Sequence, residues 1–115
     1  MFNLEAIHFN PKEFHPYYQN YIDKRSSNDI IEGLRIDKEN FIHFLEQIPS
    51  EKWGFTYDKG KWTVAEVISH IIDTERIFSY RALRFARGDK TALAGFDQDF
   101  YAVNSNANKI SLKIC

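Results

Sequence analysis

Residues 61–88 read KWTVAEVISHIIDTERIFSYRALRFARG, and this stretch decides the fold because it carries a helix start, a helix stop and an apolar pattern between them. Thr63 stands three residues before Glu66, which is the spacing of a capping box at a helix N-terminus. Gly88 follows two arginines of the last turn, as is typical of a helix C-terminus. The sequence therefore predicts one long helix over residues 63–87.

Apolar residues recur through this helix at steps of three and four, the period of one helix face. They are Val64, Val67, Ile68, Ile71, Ile72, Ile77, Phe78, Ala82, Phe85 and Ala86. A stripe this wide predicts packing against more than one neighbouring element. His70 lies at the edge of the stripe, one turn from Glu66 and from Asp73.

The charges of the 115 residues nearly cancel, since 15 Lys and Arg stand against 16 Asp and Glu. A chain of that balance has no broad electrostatic attraction for nucleic acid or for an anionic membrane. No apolar run approaches the length of a membrane span, and the N-terminus lacks a secretory pattern. The single cysteine, Cys115, excludes an internal disulfide. We expect one cytoplasmic domain over residues 1–115, without a nucleic-acid or membrane partner.

A second long helix is predicted over residues 28–48, with Asn28 as its N-cap and Pro49 as its stop. A shorter helix is predicted over residues 16–24, because Pro16 is acceptable at a helix start. The residues expected to face inward from this shorter helix are Tyr17, Tyr21 and Ile22.

The remaining segments are predicted to be arms, connectors and loops. Residues 1–9 form an extended arm, one helical turn falls near residues 97–103, and Ser111 resembles a further N-cap. The connector over residues 50–62 contains four aromatic rings: Trp53, Phe55, Tyr57 and Trp62. These rings either plug one end of a helix bundle or form an aromatic wall beside a ligand pocket.

Two long amphipathic helices predict an all-α fold in which they pack antiparallel. The positions expected to be among the most buried are Leu34, Phe41, Leu45, Val67, Ile71 and Phe78. Two helices and short pieces form two layers at best, so they leave part of the wide stripe uncovered. A homodimer is the partner we expect to cover it.

The four histidines are His8, His15, His43 and His70, and no two of them stand at the i, i+4 spacing of a helical ligand pair. A catalytic zinc or nickel site needs about three protein ligands. Glu66 and Asp73 share a face with His70, but Glu66 is better suited to capping. Spacing alone leaves two interpretations of His70 open: a metal ligand, or a half-buried histidine with ordinary partners.

Other polar residues have simpler explanations. Asp73, Glu75 and Arg76 are predicted to form surface or interhelical pairs. The basic end of the central helix, formed by Arg81, Arg84, Arg87 and Lys90, either interacts with the helix dipole or binds an anionic ligand. Cys115 is terminal and makes a poor nucleophile candidate.

Several motifs resemble the DinB-like superfamily of four-helix bundles. The matching runs are GKWTV at residues 60–64, EV at 66–67, HIIDTER at 70–76 and YRALRFARGD at 80–89. Softer similarity appears in PYY at 16–18, GFD at 95–97 and NSN at 104–106. The resemblance spans roughly residues 14–112.

This resemblance implies a four-helix bundle of which the chain carries the N-terminal half. It implies a divalent metal, nickel or zinc, held by three histidines, with His70 as the ligand from the central helix. The other two form an H-x-x-x-H pair on a later helix, and that pair is absent here. The sequence is therefore expected to be truncated before the third and fourth long helices.

Two classes of function follow. One is a metal-dependent enzyme, a thiol transferase or a hydrolase acting on a small molecule, impaired by the missing histidines and with catalytic residues unknown. The other is a non-catalytic helical protein that self-associates.

Overall fold

The computed structural model describes residues 10–109, and every regular element within that range is helical. The helices are α1 (Gln19–Asp23), α2 (Ile30–Glu46), α3 (Val64–Ala86) and α4 (Gln98–Val103), with 3-10 turns at Pro16–Tyr18 and Ser50–Lys52. The all-α fold class is confirmed. No helix in this described range is long and apolar enough to cross a membrane. The chain divides into two compact units, Met1–Ile48 and Pro49–Cys115.

The first described turn of the first unit is one in which the Asn10 side chain accepts the N–H of Lys12 at 3.0 Å. The predicted helix over residues 16–24 is present as a 3-10 turn followed by α1. Tyr17 and Tyr21 do not face inward as predicted, because both rings are exposed. A helix of five residues is too short to bury two large rings, and their hydroxyls lie 3.2 Å apart at the surface.

The N-cap of α2 is Asp29, and the prediction of Asn28 was wrong. The Asp29 carboxylate accepts the N–H of Glu32 at 3.0 Å, which satisfies an unpaired donor of the first turn. The Asn28 side-chain oxygen instead accepts from Nε of Arg25 at 2.9 Å. With its caps included, α2 therefore starts one residue later than predicted and ends one residue earlier, at the C-cap Gln47.

Within α2, Leu45 is buried as predicted, at 7% exposure, and Phe41 is half-buried. Leu34 is 58% exposed, so its predicted burial was wrong. Among the described residues, the apolar face of α2 is therefore only partly covered. Gly33 is buried because the chain at Ser27 passes within 3.7 Å of the position of its missing Cβ.

The ends of α3 match the prediction. Thr63 and Glu66 form the full capping box, and Gly88 adopts a left-handed φ of +66° after the last turn. The N–H of Asp89 then donates to the carbonyl of Arg84 at 3.0 Å, which satisfies a carbonyl left free at the helix end.

The connector before α3 folds back onto the helix N-terminus. The N–H groups of Val64 and Ala65 donate to the carbonyls of Phe55 and Trp53, at 3.0 and 2.9 Å. Together with the Thr63 side chain, these carbonyls satisfy the first donors of α3, which would otherwise be unpaired. The N-terminus of α3 is therefore closed by the protein itself.

The core of the second unit is small and lies around the first turns of α3. Its buried residues among those described are Ala65, Ile68, Ala102 and Ala107. The predicted turn near residues 97–103 is confirmed as α4, capped by Asp97 and packed on α3. The Thr63 hydroxyl donates to Oδ1 of Asn108 at 2.7 Å, which ties the segment after α4 to the start of α3.

Three predicted core positions of α3 are exposed instead: Val67 at 42%, Ile71 at 41% and Phe78 at 56%. The physical reason is the size of the covering elements. The described elements of this unit that lie against α3 are the six-residue α4 and short irregular segments, which are too small to cover the whole helix. Among the described residues, its apolar face is therefore only partly covered.

Some predictions lie outside these observations. The arm over residues 1–9 and the Ser111 cap fall outside the described residues. The antiparallel packing of α2 and α3 joins the two units and stays a prediction, as does the single domain over residues 1–115.

Candidate functional site

His70 lies two turns into α3 and is half-buried. Its imidazole faces the indole of Trp62, with ring centres 5.1 Å apart and planes tilted by 56°. Trp62 is positioned by the capping box, because it immediately precedes the N-cap Thr63. The Trp62 indole therefore lies against one side of the His70 imidazole.

Neither ring nitrogen of His70 makes a hydrogen bond with another residue in the described range. Its backbone carbonyl accepts the Thr74 hydroxyl at 2.7 Å. A half-buried imidazole in this state has the lone pair that a metal or a substrate proton requires. The environment of His70 therefore fits a single ligand position.

The carboxylates that share a face with His70 do not complete a metal site. Oε1 of Glu66 accepts the N–H of Thr63 at 2.9 Å, so this oxygen acts in the capping box as expected. Among residues 10–109, no group of three or more His, Cys, Asp and Glu side chains comes together. The donor set in this range does not fit the three-ligand metal centre that the sequence resemblance implies.

The other described histidines have separate local roles. Nδ1 of His15 accepts the N–H of Tyr17 at 3.1 Å and caps the first 3-10 turn. Nε2 of His43 lies 2.9 Å from the side-chain nitrogen of Gln47 at the end of α2. His8 lies outside the described residues.

The basic end of α3 holds the chain that follows it. Arg81 donates to the carbonyl of Ala94 at 3.0 Å, and Arg84 donates to the carbonyl of Thr91 at 2.7 Å. Nε of Arg84 also lies 2.9 Å from Oδ2 of Asp89, an ion pair without good hydrogen-bond alignment. These contacts favour a structural use of both arginines over anion binding.

The groups around the end of α3 lower the pKa of Asp89. The backbone N–H of Thr91 donates to Oδ1 of Asp89 at 2.9 Å, and this bond, with the Arg84 charge nearby, holds the pKa of Asp89 below its ordinary value.

The four aromatic rings of the connector over residues 50–62 differ in exposure. Trp53 and Trp62 are half-buried, whereas Phe55 and Tyr57 are exposed. Trp62 does stand beside the candidate ligand His70, as an aromatic wall would require. The sequence contained a signal for this placement, because an apolar residue just before an N-cap characteristically packs back onto the following turn of the helix.

A groove between α3 and α4 was not foreseen from the sequence. It encloses about 530 Å³ and is lined by Ser69, Asp73, Arg76, Phe100, Tyr101 and Asn104, among others. Asp73 and Arg76 make no ion pair with each other or with any other residue in the described range. The predicted surface or interhelical pairing of these two charges is not what the structure shows. The spacing of Ser69, Asp73 and Arg76 places them on one helix face, and this could have indicated one wall of the groove. Nothing in the sequence indicated that α4 lies opposite them.

These features define an all-α protein with one helical histidine held against a tryptophan. The sequence model of the DinB superfamily matches residues 34–109, which extends from α2 past α4 and includes His70. This chain belongs to the DinB superfamily. Neither a curated protein nor a solved structure matches it.

Proposed function

We propose that this chain is of the metal-dependent DinB kind, with His70 as one ligand of a nickel or zinc ion. The reaction class is thiol transfer or hydrolysis on a small molecule. Membership of the superfamily supports the class, and the free, half-buried imidazole of His70 beside Trp62 is the observation that supports the ligand.

We further propose that the 115-residue chain by itself holds such an ion weakly and is impaired as an enzyme. Three protein ligands are usual at a catalytic zinc, and residues 10–109 contain no group of three or more His, Cys, Asp and Glu side chains that could hold an ion. Metal affinity depends steeply on the number of ligands, since each one contributes to the binding free energy.

The test has two parts. Nickel or zinc is first titrated into the chain while the imidazole resonances are followed by NMR. His70 should respond at a lower metal concentration than His15 and His43, each of which has one ring nitrogen in a local hydrogen bond. Equal responses from all three would remove His70 as a preferred ligand.

The second part is elemental analysis after dialysis, on the wild type, His70→Ala and the matched control His43→Ala. We expect less than one metal per chain in all three proteins. Stoichiometric metal that survives dialysis and disappears only in His70→Ala would contradict the proposed weak binding while supporting the ligand role.

A second candidate function is a non-catalytic protein that self-associates into a homodimer. The exposed apolar face of α3 favours it, because Val67, Ile71 and Phe78 lie at the surface of the single chain. Burial of apolar surface stabilises by about 25 cal/mol per Å². A second copy of α3 is the proposed cover of this face.

A further inference from the structure

We propose that the groove between α3 and α4 binds a small zwitterion of the α-amino-acid class. This proposal is separate from the proposed metal ligand, because His70 is not among the residues that line the groove. The volume of about 530 Å³ is within the range of small-molecule sites, about 300–1,000 Å³.

Two opposite charges stand in this groove without partners among the described residues. Asp73 and Arg76 are three residues apart on α3, so their side chains are neighbours on one helix face. An α-amino acid carries its ammonium and carboxylate on one carbon, so the two charges are presented together and can meet two neighbouring side chains of opposite charge. Its ammonium pairs with Asp73 while its carboxylate takes a two-pronged contact from the Arg76 guanidinium.

The opposite wall is aromatic with hydroxyl and amide groups at its edge. Phe100 and Tyr101 line this side of the groove with ring centres 6.5 Å apart, and Phe96, which does not line the groove, packs against Tyr101 at 5.3 Å. The Tyr101 hydroxyl makes no hydrogen bond to another described residue, whereas the Asn104 amide is anchored on the Phe100 carbonyl at 2.8 Å. This wall suits an apolar side chain on the ligand, and it favours an amino acid such as phenylalanine over glycine.

The probe is free L-phenylalanine, titrated into the isotope-labelled chain while backbone amide shifts are followed by NMR. Two analogues serve as matched controls: N-acetyl-L-phenylalanine lacks the ammonium, and L-phenylalaninamide lacks the carboxylate. We expect saturable shifts at α3 and α4 with the free amino acid, and affinity lower by at least about tenfold for each analogue.

Two substitutions test the contribution of each charge to binding separately. Arg76→Gln and Asp73→Asn should each weaken binding of L-phenylalanine by at least about tenfold. Arg87→Gln removes the arginine at the C-cap of α3, which lies outside the groove, and this variant should bind like the wild type. Circular dichroism of all three variants verifies that the helices are retained.

Three results would overturn the proposal: no saturation up to about 10 mM, equal affinity for both analogues and the parent, or unchanged affinity in Arg76→Gln. The first of these is expected if Asp73 and Arg76 pair with each other in solution.

Discussion

His70 and Trp62 form a ring pair at the start of α3, with centres 5.1 Å apart, although eight positions separate them in the sequence. The capping box brings them together, because it turns the chain at Thr63 so that Trp62 lies back along the helix. The pair connects a local folding signal to the one histidine with free ring nitrogens in the described range.

The coupling between these two rings can be measured. In a double-mutant cycle with Trp62→Ala and His70→Ala, we expect a coupling free energy of about 0.5–1.5 kcal/mol, as found for aromatic pairs. Urea denaturation of the four proteins gives the value. Additivity within about 0.3 kcal/mol would show that the two rings do not stabilise each other.

The capping box should contribute measurably to stability. Thr63→Ala removes the oxygen that accepts the N–H of Glu66 and the hydroxyl that donates to Asn108, so we expect a loss of about 1–2 kcal/mol. Thr63→Ser retains the hydroxyl and serves as the matched control in denaturant unfolding. If both variants lose the same amount, the lost methyl group rather than the cap explains the effect.

Substitution of two isoleucines that are three residues apart should have very different effects on the free energy of unfolding. Ile68 is 3% exposed, so Ile68→Ala should cost about 2–5 kcal/mol in unfolding free energy. Ile71 is 41% exposed, so Ile71→Ala should cost less than about 1 kcal/mol when measured at low protein concentration. Equal costs for the two variants would mean that Ile71 is covered in solution.

Self-association through the exposed face of α3 would provide such a cover. Sedimentation equilibrium at micromolar concentration should show a dimer of the 13.6 kDa chain. Ile71→Lys should shift the population to monomer, since a buried unpaired charge is costly at an apolar interface. Ser79→Lys adds the same charge at another exposed position of α3 and is the control. A monodisperse wild-type monomer with cooperative unfolding would contradict the homodimer.

Acid should remove the stabilisation that Asp89 provides. Its pKa is lower in the folded chain than its ordinary value of 3.8, so the unfolded chain binds the proton at higher pH. The stabilisation is fully present above that ordinary value and is lost as pH falls through the lowered folded pKa. Asp89→Asn should therefore be less stable than the wild type near neutral pH, with a difference that narrows below pH 3.8. A difference that stays constant into acid would contradict the role of the carboxylate charge.

Local signals predicted the helices well because a helix terminus is determined by residues within one turn of it. Thr63, Glu66 and Gly88 marked both ends of α3, and Asp97 begins α4 where a turn was expected. Local chemistry was also the source of the error at α2. Asn28 and Asp29 are both good caps, and only the bond from Arg25 to Asn28 separates their roles.

Burial could not be predicted with the same success, because the period of a stripe identifies a face but not what covers it. Leu45 and Leu34 lie on the same helix and belong to the same pattern, yet one is buried and the other exposed. The same holds for Ile68 and Ile71 in α3. The lengths of α1 and α4 limit how much of each long helix is covered within its unit.

For the candidate site too, some features could be predicted from local sequence and others depend on the tertiary structure. The sequence by itself determined the all-α fold, the capped start of α3 and the family, since each depends on residue identity and short spacing, and it made His70 the candidate ligand, which stays a prediction. Only the tertiary structure decided that Trp62 faces His70, that no third ligand approaches within residues 10–109, and that α4 closes a groove over Asp73 and Arg76. These contacts depend on how separate segments fold back on α3, and hydrogen bonds from Val64, Ala65 and Thr63 to distant residues set that geometry.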